Sequence, residues 1–475
     1  MNERGRDTMK LELAVINGLV FIEGGFRKAD VGISNGKIAM VTEPGCLPES
    51  LKTIDADGRH VLPGGIDTHV HYRDPGHAER ETFQVGTRAA AAGGCTTFFE
   101  HPISIPPQYN PEILHNRVNL CKKGSCVDFC FFGAAGGEFP EEIEPLSHEG
   151  VVAYKTFLHE APEGRDAEFK GLTSANNAQL MRALEEVKKT GLTLAAHAED
   201  NELVTGNIKR LREEGRTDYL AHCDSRPPIT EIEAIAKMLR FGKETGCPIE
   251  LVHVSTCGAM ELAKQAKEEG QKVYVETCPH YLLLDESYVE KYGPYAKCNP
   301  ALRKKEEVEG LWKYVLDGTV DFIGSDHSPF LVSEKEKGND DIFVAPAGFP
   351  GIDLRLPLML TEAKKGRLSL EKVVELCCVN PAKCFNIFPQ KGTISAGADG
   401  DLVVVDMKRE VICHARDSYS QAKDISKVYE GWKLGCSIDY TVVRGRVVMP
   451  AQTFHYKAGN TLPSGPADPH DRLSL

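Results

Sequence analysis

The sequence has no CxxC pair, no block of clustered lysine and arginine, and no uninterrupted apolar run of about 18 residues. Each absence closes off a class of function. Fifteen cysteines are present, but they are scattered and odd in number. A disulfide framework needs an even, regularly spaced set in a short secreted chain, so these read as reduced, mostly buried thiols of a cytosolic protein. A phosphate backbone is bound through clustered cations, and a chain of formal charge -13 without such a cluster is not built for nucleic acid. The opening "MNERGRDTMKLELAVING" lacks an apolar stretch of about 7–15 residues, so the expectation is a soluble, untargeted, cytoplasmic protein.

What is present is a long chain, 475 residues with 41% hydrophobic content, more than one core usually holds. Two structural units are expected. Apolar, β-branched runs ending in polar residues or glycine recur eight times: "HVLPGGIDTHVH", "CTTFFEHP", "DFCFFGAAGG", "VVAYKTFL", "LTLAAHAED", "IELVHVST", "KVYVETCPH" and "VDFIGSDHS". Stretches with helical spacing lie between them, among them 176–191, 230–246 and 258–270. Eight β-then-α units predict a (β/α)8 barrel over residues 63–385. The flanks, 9–62 and 386–455, alternate apolar and polar residues around Asn-Gly and Arg-Gly turns and predict one small β-sandwich domain built from both chain ends. Residues 456–475, rich in Pro, Gly and Asp, read as a C-terminal tail expected against a neighbouring subunit.

In such barrels the active site lies at the C-terminal ends of the strands, so the residues finishing each strand are the candidates. Strand one supplies His69 and His71, strand four Lys155, strand five His197, strand six His253 and strand eight Asp326. His69 and His71 are two apart on a strand, so both point to one face and can hold one metal ion. A single histidine at a strand end is commonly structural; four histidines and an aspartate at four such ends argue for a site. Imidazole with carboxylate suits Zn²⁺ or a related transition metal better than Ca²⁺. A buried Lys155 lowers its pKa, and its neutral amine can take up CO2 as a carbamate, an anionic ligand able to bridge two metals. The competing role for Lys155 is an ammonium paired with an acidic loop. Asp326 beside a metal-activated water can accept its proton and return it to a leaving nitrogen. The implied reaction is hydrolysis of an amide-like bond.

At these motifs the chain resembles the amidohydrolase superfamily, specifically its cyclic amidohydrolases: hydantoinase or dihydropyrimidinase, allantoinase and dihydroorotase. "GGIDTHVH", "AYKTFL", "AAHAED", "LVHVST", "ETCPHYLL" and "GSDHSP" occur in that group's order and spacing across nearly the whole chain. The resemblance implies two Zn²⁺ per subunit, one on His69, His71 and Asp326, the other on His197 and His253, with carboxylated Lys155 as the bridge. It also implies ring-opening of a cyclic ureide or imide at a C–N bond, and a homo-oligomer, tetramer or dimer.

The substrate signals conflict. "HVHYRDPG" is similar to dihydroorotases, where an arginine at the position of Arg73 binds the substrate carboxylate, but Ile103 stands where those enzymes carry an asparagine. "SIPP", with Ser104, and "SDHSP" resemble allantoinases; "GFPGIDLR" and the segment from Asn386 resemble hydantoinases. A hydantoinase would carry a tyrosine at position 160; here Glu160 follows His159, so that oxyanion role is lost or passes to another group. Arg73 has a second possible role, pairing with Asp74 or Glu81 to shape its loop. Asn299 and the backbone near Gly351, a position expected to allow close approach, are further candidates for the ring pocket. His280 and His327 flank the site in supporting roles. The reading from sequence is thus an allantoinase- or hydantoinase-like hydrolase, with dihydroorotase as the alternative and a metal-free dihydropyrimidinase-related binding protein as a remote one.

Overall fold

The computed structural model describes residues 10–449. Its centre is a parallel eight-stranded sheet in strictly sequential order, formed by Gly65–Val70, Cys95–Glu100, Asp128–Ala134, Ala153–Phe157, Leu194–His197, Ile249–Leu251, Val273–Thr277 and Phe322–Ile323. Most of their residues are buried, as strands covered on both faces must be, which is why they read as continuous apolar runs rather than as alternation. The barrel closes between its ends through a parallel bridge, Val70 to His327, and a hydrogen bond of 2.9 Å from the His71 amide to the His327 carbonyl. The loops after strands one and eight are thereby drawn together at one end. Inside, Phe385 packs edge-on against Phe99 at 4.9 Å and near Phe132 and Phe322 at 5.7 and 5.6 Å, tying strands two, three and eight to the chain leaving the barrel.

The helices follow their sequence signals. Asn177–Thr190 starts on Asn176, whose side chain accepts from the Gln179 amide, and stops at Gly191 in the left-handed region (φ 73°). Pro228–Thr245 and Cys257–Glu268 fill the other two segments.

The run "HVLPGGIDTHVH" is two strands, not one. His60–Pro63 pairs antiparallel with Leu402–Asp406 in a second sheet, and only Gly65–Val70 enters the barrel. Gly64 makes the break: a Cβ there would stand 2.0 Å from the Thr96 hydroxyl, so only glycine lets the chain cross strand two. The second sheet joins both ends of the chain in the order Arg446–Met449, Ser437–Val443, Leu402–Asp406, His60–Pro63, Leu11–Ile22, Gly25–Ser34, Lys37–Thr42, with Ser50–Asp55 also on the Leu11–Ile22 strand. It has its own core of Val15, Val31, Ile33, Val61, Leu402, Val404 and Val442. The architecture is a (β/α)8 barrel with a β-sandwich domain made from both chain ends. The tail at 456–475 and the last residues of the second flank lie outside the described residues.

Candidate metal centre

Five of the six candidate ligands meet at the strand ends. His69 is the next-to-last residue of strand one and His71 directly follows the strand; their Nε2 atoms each lie 3.4 Å from Oδ1 of Asp326. His197 ends strand five, and its Nδ1 faces Nε2 of His253, past strand six, at 2.9 Å. The rings of His69 and His253 stack at 5.3 Å, so the two groups form one cluster. Lys155 differs from expectation in height: it sits in the middle of strand four, not at its end, and reaches up from inside the barrel. It is fully buried, and its Nζ makes no hydrogen bond, so the acidic-loop pairing is not what holds it.

Local backbone geometry serves the same convergence. Arg73, His253 and Asp326 adopt positive φ of 63°, 42° and 48°, a region side chains other than glycine enter at a cost. Three such residues around one cluster of side chains mean that packing elsewhere enforces their directions.

Carboxylates behind the histidines fix the ring orientations. Glu276 on strand seven accepts from the Thr68 hydroxyl at 2.6 Å and the His253 amide at 3.1 Å, and pairs with His69 Nδ1 at 2.7 Å. Burial and nearby Lys155 keep His69 neutral, so Nδ1 carries the hydrogen toward Glu276, and the Nε2 lone pair is turned toward Asp326. Glu199 acts likewise on His197 Nε2 at 3.0 Å and is itself paired with Arg226 at 3.3 Å. Burial alone would raise the Glu199 carboxyl; Arg226 and His197 outweigh it and hold it well below the usual carboxylate range. Burial raises Asp326 and lowers Lys155. The set therefore offers neutral imidazole nitrogens, a carboxylate and a desolvated amine aimed at one space, a donor set that fits divalent transition metals.

The flanking candidates resolve unevenly. Arg73 pairs with neither Asp74 nor Glu81: its Nη2 donates to Ser328 Oγ at 2.6 Å, and Nη1 is 3.8 Å from Glu168. Asp74 instead accepts from the Phe83 amide, and Glu81 is taken by His327 and the Ser420–Gln421 segment. His327 is a structural hub, its carbonyl closing the barrel and its Nδ1 accepting from the Gly351 amide at 3.1 Å. A Cβ on Gly351 would meet only the Ser325 carbonyl oxygen, at 3.5 Å, so the protein's own atoms do not demand glycine there; the crowded position is Gly348, with φ 122° and a Cβ contact of 2.6 Å to Ser328. Ser104 turns its hydroxyl to the Pro106 carbonyl at 2.8 Å. Asn299 keeps a buried Oδ1 without a partner, and His280 a buried Nε2. Ile103 is buried against Ala134, Phe157, Phe169 and Leu172, an apolar wall in place of an amide. Glu160 is exposed, while His159 turns its ring edge-on to His197 at 5.0 Å.

Sequence reasoning missed His101, Glu276, Glu199 and Glu168. His101 stacks on His69 at 3.9 Å and hydrogen-bonds the Thr68 carbonyl through Nε2; His69, His71 and His101 each offer a nitrogen within 4.8 Å of the others. The strand-end test would have found it, since it directly follows strand two. Glu276 carried a signal too, as a carboxylate inside the apolar run "KVYVET".

Comparison with known proteins places these features. The Amidohydrolase family profile matches residues 60–448. An allantoinase of Bacillus licheniformis is 36% identical over 445 residues, 92% of this chain and 96% of that enzyme. An L-hydantoinase of Paenarthrobacter aurescens is 34% identical over 442 residues, 92% and 94% of the two chains. Among solved structures, the L-hydantoinase (dihydropyrimidinase) from Arthrobacter aurescens superimposes with a TM-score of 0.88 at 33% identity, covering 92% of this chain and 96% of that one. The histidine pair at the end of strand one, the aspartate after strand eight and a match along nearly the whole barrel and its sandwich domain show that the chain belongs to the amidohydrolase family, within its cyclic amidohydrolase group.

Proposed function

We propose that the protein opens a cyclic ureide or imide by hydrolysis at a C–N bond, as an allantoinase- or hydantoinase-like enzyme. The observation that carries this is the geometry of the neutral imidazoles: His69 and His71 aim Nε2 at one oxygen of Asp326, while His197 and His253 bring two ring nitrogens to 2.9 Å. Nitrogens so placed, with a partnerless buried amine at Lys155, are a ligand set for two metal ions. In this reading His69, His71 and Asp326, together with His197 and His253, would hold zinc, and Lys155, as its carbamate, would be a further anionic ligand. Bound there, the metal pair would supply Lewis acidity for the ring carbonyl and a water of lowered pKa.

The chain's own residues do the rest. Asp326 takes the proton of the attacking water and returns it to the departing ring nitrogen, a task suited to a carboxyl whose affinity for protons burial has raised. Glu276 and Glu199 hold His69 and His197 in the ligating tautomer. Arg73, Asn299 with its free Oδ1, Ser104 and the backbone at Gly351 line the ring pocket. The barrel (63–385) carries the chemistry, the small domain is 9–62 with 386–455, and the assembly is a cytoplasmic homotetramer or dimer.

A dihydroorotase reading has one supporting observation, the buried Nε and Nη1 of Arg73 without hydrogen bonds. Side-by-side assays on allantoin, hydantoin, dihydrouracil and dihydroorotate, with Arg73→Ala in parallel, decide between them. Loss confined to dihydroorotate assigns Arg73 to a carboxylate, and equal loss on all four makes it structural. Well under one zinc per chain with no ring opened would refute the enzyme reading in favour of a binding protein.

A further inference from the structure

Arg73 stands in a group of charges larger than its loop needs. Three guanidinium groups gather over the Phe330 ring: Arg73 at 5.0 Å, Arg80 at 4.9 Å and Arg165 at 5.7 Å. Two carboxylates answer them. Arg80 binds Glu334 through Nη2 at 2.6 Å and Nε at 3.1 Å. Glu168 accepts from Arg165 at 2.6 and 3.0 Å, lies 3.4 Å from Arg80 and 3.8 Å from Arg73, and has His77 Nε2 at 3.5 Å. Glu168 is 3% exposed, so its charge acts through protein rather than through water. Its position is fixed from the inside: it lies on the short helix Asp166–Phe169, and the next residue, Phe169, packs on Phe157 at 5.0 Å, a ring that in turn lies 5.2 Å from that of His197.

We propose that Glu168 is a specificity-determining countercharge that biases the site toward uncharged rings and against rings bearing a carboxylate. This rests on the cyclic-amide reading above and deepens it. Nε and Nη1 of Arg73 make no hydrogen bond, and Nη1 lies 3.8 Å from Glu168; a substrate carboxylate accepting from them at about 2.8 Å would stand roughly 6 Å from the Glu168 carboxylate. At an effective dielectric of about 20, that like-charge contact disfavours the anionic ring by about a hundredfold, while an uncharged ring meets no such term.

The test uses the metal-loaded enzyme and two matched pairs, dihydrouracil with dihydroorotate and hydantoin with hydantoin-5-acetate, each pair differing by a carboxylate-bearing substituent. The ratio of kcat/KM for the anionic to the neutral member is expected to rise about a hundredfold in Glu168→Gln. Arg165→Gln, which leaves Glu168 less compensated, is expected to lower it roughly threefold and carries the test if the first variant does not fold. A merely structural Glu168 would depress both members alike; a ratio that stays within about twofold in both variants, or a wild type that prefers the anionic members, overturns the inference. Failure of the wild type to open these four rings or allantoin would instead overturn the functional reading, and the inference with it.

Discussion

Glu276→Gln isolates the electrostatic role of the carboxylate behind His69. The change keeps shape: one amide oxygen can still accept from His69 Nδ1 and the His253 amide, now at 2.7 and 3.1 Å, and the amide NH2 can meet the Thr68 hydroxyl once that hydroxyl rotates to accept. What is lost is the negative charge that makes His69 a stronger donor and stabilises positive charge at the site. Removing such an outer partner typically weakens metal affinity by about 10–100-fold, or about 1.4–2.7 kcal/mol. The folded scaffold should change far less, because the bonds to the His253 amide and the Thr68 hydroxyl both survive. Zinc affinity is measured by competition with a chromogenic chelator, and thermal melting of the apo protein is followed in parallel. Zinc affinity within about twofold of wild type would refute the idea that Glu276 acts through His69 on a metal. A melting temperature that collapses in the apo protein would make it a scaffold residue instead.

Lys155→Ala should abolish ring opening, and short carboxylic acids added to the assay should restore part of it by standing in for the bridge; wild-type turnover in the variant would refute the bridging role. Arg117→Met should cost about 3–5 kcal/mol in urea unfolding at about pH 8, because burial already holds Glu100 up at about 7 against the pull of Arg117, and losing the 2.6 Å pair, together with the bond to Gln108, makes the buried carboxyl either stand unpaired or take up a proton; a loss below about 1 kcal/mol would refute a role for the pair in holding the fold. At Glu168, burial alone would raise the carboxyl, but Arg165, Arg73 and Arg80 pull it down to about 2. A depressed carboxyl stabilises the fold above its unfolded pKa near 4.5 and loses that contribution as pH falls toward 2, so the stability gap between wild type and Glu168→Gln, at most roughly 3 kcal/mol, should be full at pH 6 and shrink below about pH 4.5.

The barrel was legible because its strands are buried on both faces, so each appears as an uninterrupted apolar run with a chemical residue at its end, and because eight such runs alternate with capped helices. The cluster of candidate side chains was legible for the same reason, since strand ends share one level in space. The limits of that reasoning are equally physical. Lys155 and Glu276 lie inside the barrel rather than on its rim, and a rule that looks only at strand ends gives Lys155 the wrong height and passes over Glu276. Arg73 is a harder case: its nearest sequence neighbours, Asp74 and Glu81, are plausible partners by proximity, yet a positive φ at Arg73 turns it away from both and toward Ser328 and Glu168, 255 and 95 positions distant. No periodicity encodes such contacts, because they are made by three segments, after strands one, four and eight, that only barrel closure at Val70 and His327 and the packing of Phe169 on Phe157 bring together. Substrate charge preference resides in that loop assembly, whereas the ring-opening chemistry resides at the strand ends, so the reaction class could be read from motifs while the identity of the ring could not.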